Sequence, residues 1–211
     1  MKMKDIIEKN ILFVEGKDEC YFFNYFHKYL GLSGIQVIDC EGTGNFKTKL
    51  QLYVQSDAFK TVKTVGFIRD ADSNAENAFA SLRKIIKETS DIRYLPVPKK
   101  PSEIISDKGL KLGVFIMPNN SGAGMLESLC IETIKNEPVY ECVDKFINCF
   151  TRLFTEEEKE KFREHKSRIQ SYLATRIPIA KSIADGAQKK YWNFDHEGFS
   201  EINKFVTELF S

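Results

Sequence analysis

Val65-Gly66-Phe67-Ile68-Arg69-Asp70-Ala71-Asp72 is an apolar run that ends abruptly in acid. Its β-branched and aromatic residues show no polar alternation, which reads as a strand buried on both faces of a parallel sheet. Ile11-Leu12-Phe13-Val14-Glu15-Gly16-Lys17-Asp18 has the same form. The two runs lie about 55 residues apart, room for two βα units. Ligands of open α/β sheets bind beyond the carboxyl ends of the strands, so both acidic tips fall where chemistry is expected. In an extended segment Asp70 and Asp72 face one side. With Glu15 ending a neighbouring strand, three carboxylates are expected to converge. Crowded carboxylates repel unless a cation separates them, and hard oxygen donors suit Mg²⁺ or Mn²⁺. Asp18 reads as a helix-start residue.

Outward from these runs the elements alternate. A helix is expected from Lys17 or Asp18 to Leu30, stopped by Gly31, with His27 a structural histidine beside its apolar stripe. A strand follows over Gly34–Cys40. Glu41-Gly42-Thr43-Gly44-Asn45 then leads into a helix over Phe46–Gln55. Gly42 and Gly44 there present backbone N–H groups to a phosphate, or simply make a tight turn. Ser73-Asn74-Ala75-Glu76 reads as a capping box for a helix reaching Glu88, with Lys84 and Lys87 facing solvent. Glu103–Ser106 and Lys111–Met117 form a hairpin around Asp107-Lys108-Gly109.

Pro118–Gly124 is the most flexible-looking loop, and it enters a helix carrying Glu127 in its first turn. Beyond Pro138 the chain reads as all helix. Val143, Phe146, Ile147 and Phe150 are expected inward on one helix. A long helix is expected from Thr155 to about Ala174, with Phe162, Ile169 and Leu173 on its apolar face and Lys166 projecting from that face. A loop is expected around Asp185–Asp195, then a last helix to Leu209. The expected domains are an α/β part, 1–120, and a helical extension, 121–211, packed on it.

Glu15-Gly16-Lys17 after one buried strand and Asp70-Ala71-Asp72 after another resemble the two motifs of the Toprim domain. That domain is shared by topoisomerases, bacterial primases, recombination-repair proteins and the nucleases of the overcoming-lysogenization-defect family. The hairpin, and Pro118 followed by Gly124-Met125-Leu126-Glu127, are similar to a small stand-alone bacterial group related to those nucleases. The resemblance implies a Rossmann-like, mostly parallel sheet flanked by helices, with an edge hairpin. It implies a metal on Asp70 and Asp72, acid–base work by Glu15, and a further acidic residue, Glu127, adjoining the centre. Lys17 or Lys166 would neutralise charge developing on a phosphoryl group.

Composition narrows the classes. With 211 residues, 42% apolar and 29% charged, the chain is an ordinary globular one, and no apolar window is long enough to span a membrane. Five cysteines form no Cys-x-x-Cys pair; Cys20, Cys130 and Cys149 fall in apolar helical patterns and read as buried, reduced thiols in a cytoplasm. A net charge of +1 argues against strong non-specific nucleic-acid binding and leaves room for a local groove. The leading expectation is a Mg²⁺-dependent nuclease cleaving DNA or RNA. The alternative is a catalytically silent module that binds nucleic acid or protein. Haloacid-dehalogenase phosphatases also use Asp-x-Asp, but their motif opens the domain and wants Thr or Val where Asn74 stands, so that class is set aside.

Overall fold

The computed structural model describes residues 5–211. Contacts between Cα atoms divide the chain into two compact units: residues up to Met125 together with Ser200–Ser211, and Leu126–Phe199.

The first unit is built on five strands: β1 (Asn10–Val14), β2 (Ile35–Asp39), β3 (Thr64–Asp70), β4 (Ile104–Asp107) and β5 (Leu110–Met117). Their order is β2-β1-β3-β5-β4, and only β4 runs antiparallel, as the near arm of a hairpin with β5. Lys108 and Gly109 take positive φ angles of 49° and 80° in that turn, the conformation a two-residue hairpin demands. The expected α/β architecture is the observed one.

Four helices cover this sheet: α1 (Lys17–Tyr29), α2 (Phe46–Gln55), α3 (Ala75–Thr89) and, from the end of the described chain, α9 (Ser200–Phe210). Alternation sends Ile11, Phe13, Val65, Phe67, Leu112, Val114 and Ile116 to one face. There they join Phe46, Leu50 and Tyr53 of α2 and Ala78, Phe79 and Leu82 of α3 in one buried cluster. The Phe13 and Phe67 rings stack at 5.2 Å. On the opposite face Gly66 and Gly113 leave hollows that α9 fills. A Cβ at Gly66 would meet Leu209 Cδ2 and Phe210 Cζ at 2.9 Å, and one at Gly113 would meet the Phe205 ring at 2.9 Å. The last helix is therefore part of the sheet's core.

Three details of this unit depart from the expectations. Asn74, not Ser73, caps α3, its side chain accepting from Asn77 N–H at 2.8 Å. Asp72 does not continue β3: its φ is +51°, so the chain turns there and the two-residue alternation linking Asp70 to Asp72 fails. The Pro118–Gly124 loop is tied down at several points. Asn119 Oδ1 accepts from Gly122 N–H at 2.9 Å, Asn120 Oδ1 accepts from Ile116 N–H at 2.9 Å, and Gly124 pairs with Asp72.

The second unit is helical: α4 (Leu126–Ile134), α5 (Pro138–Thr151), α6 (Glu156–Lys161), α7 (Glu164–Ala174) and α8 (Ile183–Gln188). The Thr155 capping box forms as expected, but the single long helix does not. Phe162 and Arg163 leave helical geometry, and the Phe162 ring meets Phe150 and Phe154 edge-on at 5.8 and 5.2 Å. Phe162 is thus drawn onto α5 and does not share a face with Ile169. Phe146, expected inward, is 58% exposed. Cys149, expected buried, is also exposed, whereas Cys20 and Cys130 are buried. The loop expected from Asp185 begins instead inside a short helix, α8, because Ser182 caps it and Trp192 packs on Gly186, where a Cβ would lie 2.9 Å from the indole. Among the described residues no helix is long and apolar enough to cross a membrane.

Candidate functional site

The strand order creates the site. From β1 the chain crosses to β2 on one side, then returns past β1 to β3 on the other. The crevice between β1 and β3, at their carboxyl ends, is the switch point where open α/β sheets take ligands. Glu15 follows β1 and Asp70 ends β3. Phe13 pairs with Phe67, so two residues on Glu15 comes level with Arg69. Strands about 4.8 Å apart rising about 3.3 Å per residue put the Glu15 and Asp70 backbones about 6 Å from each other. Asp70 is the last residue of β3 and follows Ile68 by alternation, whereas β1 ends at Val14. The Val14 and Glu15 carbonyls both turn to the β2 side, accepting from Cys40 and Gly42 N–H at 2.9 and 2.8 Å, so the chain leaves strand geometry at Glu15.

Asp70 is 7% exposed, whereas Asp72 is exposed. Asp72 N–H donates to Gly124 O at 3.0 Å and Gly124 N–H returns a bond to Asp72 O at 2.8 Å. Ala71 N–H donates to Met117 O at 3.0 Å. The Asp70-Ala71-Asp72 backbone is thereby clamped to the end of β5 and its loop. Glu15 is held by its own backbone, its C=O accepting from Gly42 N–H at 2.8 Å, and its Oε2 atom is shut off from solvent.

The glycine-rich turn behaves as a tight connection. Gly42 has φ +108°, which requires glycine. Its N–H is committed to Glu15, Glu41 N–H donates to Asp39 Oδ1 at 2.7 Å, and Asn45 N–H donates to Gly42 O at 3.0 Å. Gly44 sits in the short 3₁₀ turn Thr43–Asn45. Lys17 is exposed, with its ammonium 5.8 Å from the Tyr21 ring centroid. It borders a cavity of about 390 Å³ lined also by Asn24, Gln36 and Asp39.

Two residues near this edge escaped the sequence reading. Lys49 of α2 is only 4% exposed, and its ammonium lies 2.6 Å from Glu41 Oε1. It shares the helical stripe of Phe46, Leu50 and Tyr53; a lysine inside an apolar stripe was the available signal. Burial pushes the Cys40 thiol well up; Lys49 opposes that shift, while Asp39 and Glu15 add to it. Glu19 in the first turn of α1 folds back so that its Oε2 lies 2.9 Å from where a Gly16 Cβ would stand. Glycine at 16 leaves the room that the Glu19 carboxylate occupies.

Glu127 and Lys166 belong to the helical unit and meet there. Their charged atoms are 3.9 Å apart, with Lys166 61% exposed and Glu127 mostly buried. Beside them Ser128 Oγ lies 3.0 Å from His165 Nδ1. The expectation that Lys166 projects from the Phe162–Ile169 face fails because Phe162 is not on the same helix. Among the described residues no group of three or more His, Cys, Asp or Glu side chains is gathered as a metal cage. The donor set at the β1–β3 crevice is hard carboxylate oxygen, which fits a Mg²⁺ that takes one or two carboxylates and keeps its waters.

Sequence comparison gives one family. The model of DUF3226, described as a protein of unknown function, matches residues 9–211. The chain belongs to the DUF3226 family. No curated protein matches this DUF3226 chain. Among solved structures it is similar to the C-terminal region of the OLD protein of Xanthomonas campestris pv. campestris, at 14% identity and a TM-score of 0.48, covering 97% of each chain. It is likewise similar to the C-terminal region of the Burkholderia pseudomallei OLD protein, at 14% identity and a TM-score of 0.48, covering 98% of this chain and 100% of that one.

Proposed function

We propose that this DUF3226 chain is a Toprim-like, Mg²⁺- or Mn²⁺-dependent nuclease that cleaves phosphodiester bonds in DNA or RNA. The observation that carries the reading is that Glu15 follows β1 and Asp70 ends the neighbouring β3, which brings their backbones to the same edge at the β1–β3 switch point. The resemblance of those two motifs to the Toprim pair agrees with it. Asp70 and Asp72 would hold the ion, which supplies charge neutralisation at the phosphoryl group. Glu15, half-buried and fixed through its backbone, holds or passes a proton at its carboxylate oxygens. Phosphoryl transfer asks mainly for such positioning and charge.

The α3 surface supports a polyanionic substrate. Arg83, Lys84, Lys87 and Lys99 line a cleft of about 410 Å³ that also includes Phe79 and Glu76. Helix α3 starts just after Asp72, so this cationic surface leads away from the proposed centre. A chain of near-zero net charge thus carries a local basic track, the kind of feature that draws a phosphate backbone.

The second reading, a silent binding module, is favoured by the left-handed φ of Asp72, which breaks the alternation that would set its carboxylate beside that of Asp70. One experiment separates the two. Single- and double-stranded DNA and RNA are incubated with wild type, Glu15→Gln and Asp70→Asn, with Mg²⁺, Mn²⁺ or chelator, and products are resolved on gels. The nuclease reading expects metal-dependent cleavage by wild type and none by either variant. Retained binding with no cleavage under either metal moves the assignment to the binding module.

A further inference from the structure

Arg69 stands in the β1–β3 crevice and belongs to neither acidic motif. It precedes Asp70 in β3 and pairs with Ile116 of β5. By alternation its side chain follows Val65 and Phe67 to the face covered by α2 and α3. There its guanidinium meets the first turn of α3, with Nη1 3.4 Å from Ala78 O, longer than an ordinary N–H···O bond. The residue is partly buried, and its Nε is shut off from solvent with no hydrogen-bond partner. Arg168 and Arg176 each hold a carboxylate, whereas among the described residues Arg69 makes no ion pair.

An arginine does not shed its proton in a protein. A charge drawn out of water is unfavourable unless it is paired. Arg69 holds such a charge at the end of the central strand, at the edge where open sheets take ligands. An anion entering the crevice supplies the missing partner, and a phosphate matches the planar guanidinium fork with two parallel bonds. Asp70 follows Ile68 to the other face of the sheet, so a phosphate on Arg69 is not the one beside a metal at Asp70. It lies on the α2–α3 side, and Phe79, next in sequence to Ala78, lines the basic α3 cleft. We propose that Arg69 binds a second phosphate of the substrate, on the path from the metal centre toward that cleft. The substrate is then a polynucleotide strand that spans the crevice, with more than one phosphate held. This rests on the reading of the edge as a phosphodiester site.

Binding is measured with divalent metal chelated, so that no cleavage is needed. The probes are single-stranded oligothymidylate and inorganic pyrophosphate, and the variants are Arg69→Met and Arg69→Lys. Methionine keeps an unbranched stem and removes an unpaired charge, so Arg69→Met should melt at or above the wild-type temperature. It should weaken oligothymidylate binding by about 10- to 100-fold and lower the slope of log affinity against log salt by about 1. Arg69→Lys keeps the charge without the fork; it should keep the wild-type slope and recover part of the affinity. Pyrophosphate should raise the melting temperature of wild type and not that of Arg69→Met. An Arg69→Met chain that binds oligothymidylate with wild-type affinity and slope overturns the proposal, and metal-dependent cleavage by wild type then leaves the nuclease reading standing. An Arg69→Met chain that melts well below wild type shows a structural arginine and overturns it too, as does a wild type that binds neither probe. Stabilisation by pyrophosphate that depends on Arg69, without oligothymidylate binding, keeps the phosphate site and ends the nuclease reading.

Discussion

Replacing Asp72 by glycine separates the carboxylate from the backbone that presents it. Asp72 sits at φ +51°, a left-handed conformation that costs an L-residue about 1 kcal/mol or more. Glycine removes that penalty. It also frees the unfolded chain, which offsets about 0.4–1 kcal/mol. The two backbone bonds to Gly124 at 3.0 and 2.8 Å use no side-chain atom and survive. The metal-free variant should therefore unfold within about 1 kcal/mol of wild type, or about 2–4 °C for a chain of this size. Asp72→Val, with a β-branched residue at the same φ, should be distinctly less stable than either. With Mn²⁺ at about a hundred times its dissociation constant, wild type should gain about 2.7 kcal/mol, and Asp72→Gly should lose nearly all of that gain. Scanning calorimetry is the assay, because the one tryptophan, Trp192, lies in the helical unit and its fluorescence does not follow the sheet. A glycine variant that keeps the full Mn²⁺ shift refutes the metal role of Asp72. One that loses several kcal/mol without metal shows that its carboxylate is structural.

Glu15→Gln should lower cleavage by about 10² to 10⁴ while nucleic-acid binding stays near wild type, because glutamine keeps the shape but exchanges no proton; single-turnover cleavage and filter binding check this pair of outcomes. Replacing Lys84, Lys87 and Lys99 together by alanine should weaken binding and reduce the slope of log affinity against log salt by up to about 3, one for each phosphate no longer neutralised; an unchanged slope removes the α3 cleft from the substrate path. Gly66→Ala should destabilise by about 1–3 kcal/mol through overpacking against Leu12, Leu209 and Phe210, read from denaturant midpoints; an unchanged midpoint means that α9 yields freely. His27 is buried with Nδ1 3.1 Å from Leu32 O, and burial holds its pKa below the ordinary 6.5. The unfolded chain therefore binds that proton first, so this contribution to stability is complete above pH 6.5 and is lost as the pH falls below it. His27→Gln should flatten the acid limb of the stability curve, and an identical limb in the variant would exclude His27 as its cause.

The sheet was legible because its strands are dense apolar runs, and a parallel sheet covered on both faces leaves that mark. The hairpin was legible from Asp107-Lys108-Gly109. What escaped depended on contacts distant in sequence. Nothing local to Asp72 announces a left-handed φ; Gly124, from the loop after β5, fixes it. Residues 155–174 read as one helix because no Gly or Pro interrupts them, and the break comes from Phe162 joining the rings of α5. Phe146 was placed inside because its spacing from Val143 and Phe150 is helical, but that spacing serves two faces of α5. For the candidate site, the motifs located Glu15 and Asp70 at one edge. How closely their backbones approach follows from register, which requires knowing that Phe13 pairs with Phe67. Lys49 stands at helical spacing from Phe46 and Tyr53, but its partner Glu41 lies in the turn before the helix, and only the fold brings the two together.

The return of α9 to the sheet imposes an order on synthesis. The hollows at Gly66 and Gly113 are made early, but Phe205, Leu209 and Phe210 are translated after the whole of residues 126–199. Throughout that interval the nascent sheet carries an uncovered apolar trough over β3 and β5. Exposed surface of this kind invites capture by other chains. The helical segment has time to fold while the earlier unit is still incomplete, so interruption of translation between residues 125 and 200 should yield fragments that depend on chaperones, whereas passage beyond residue 210 releases them.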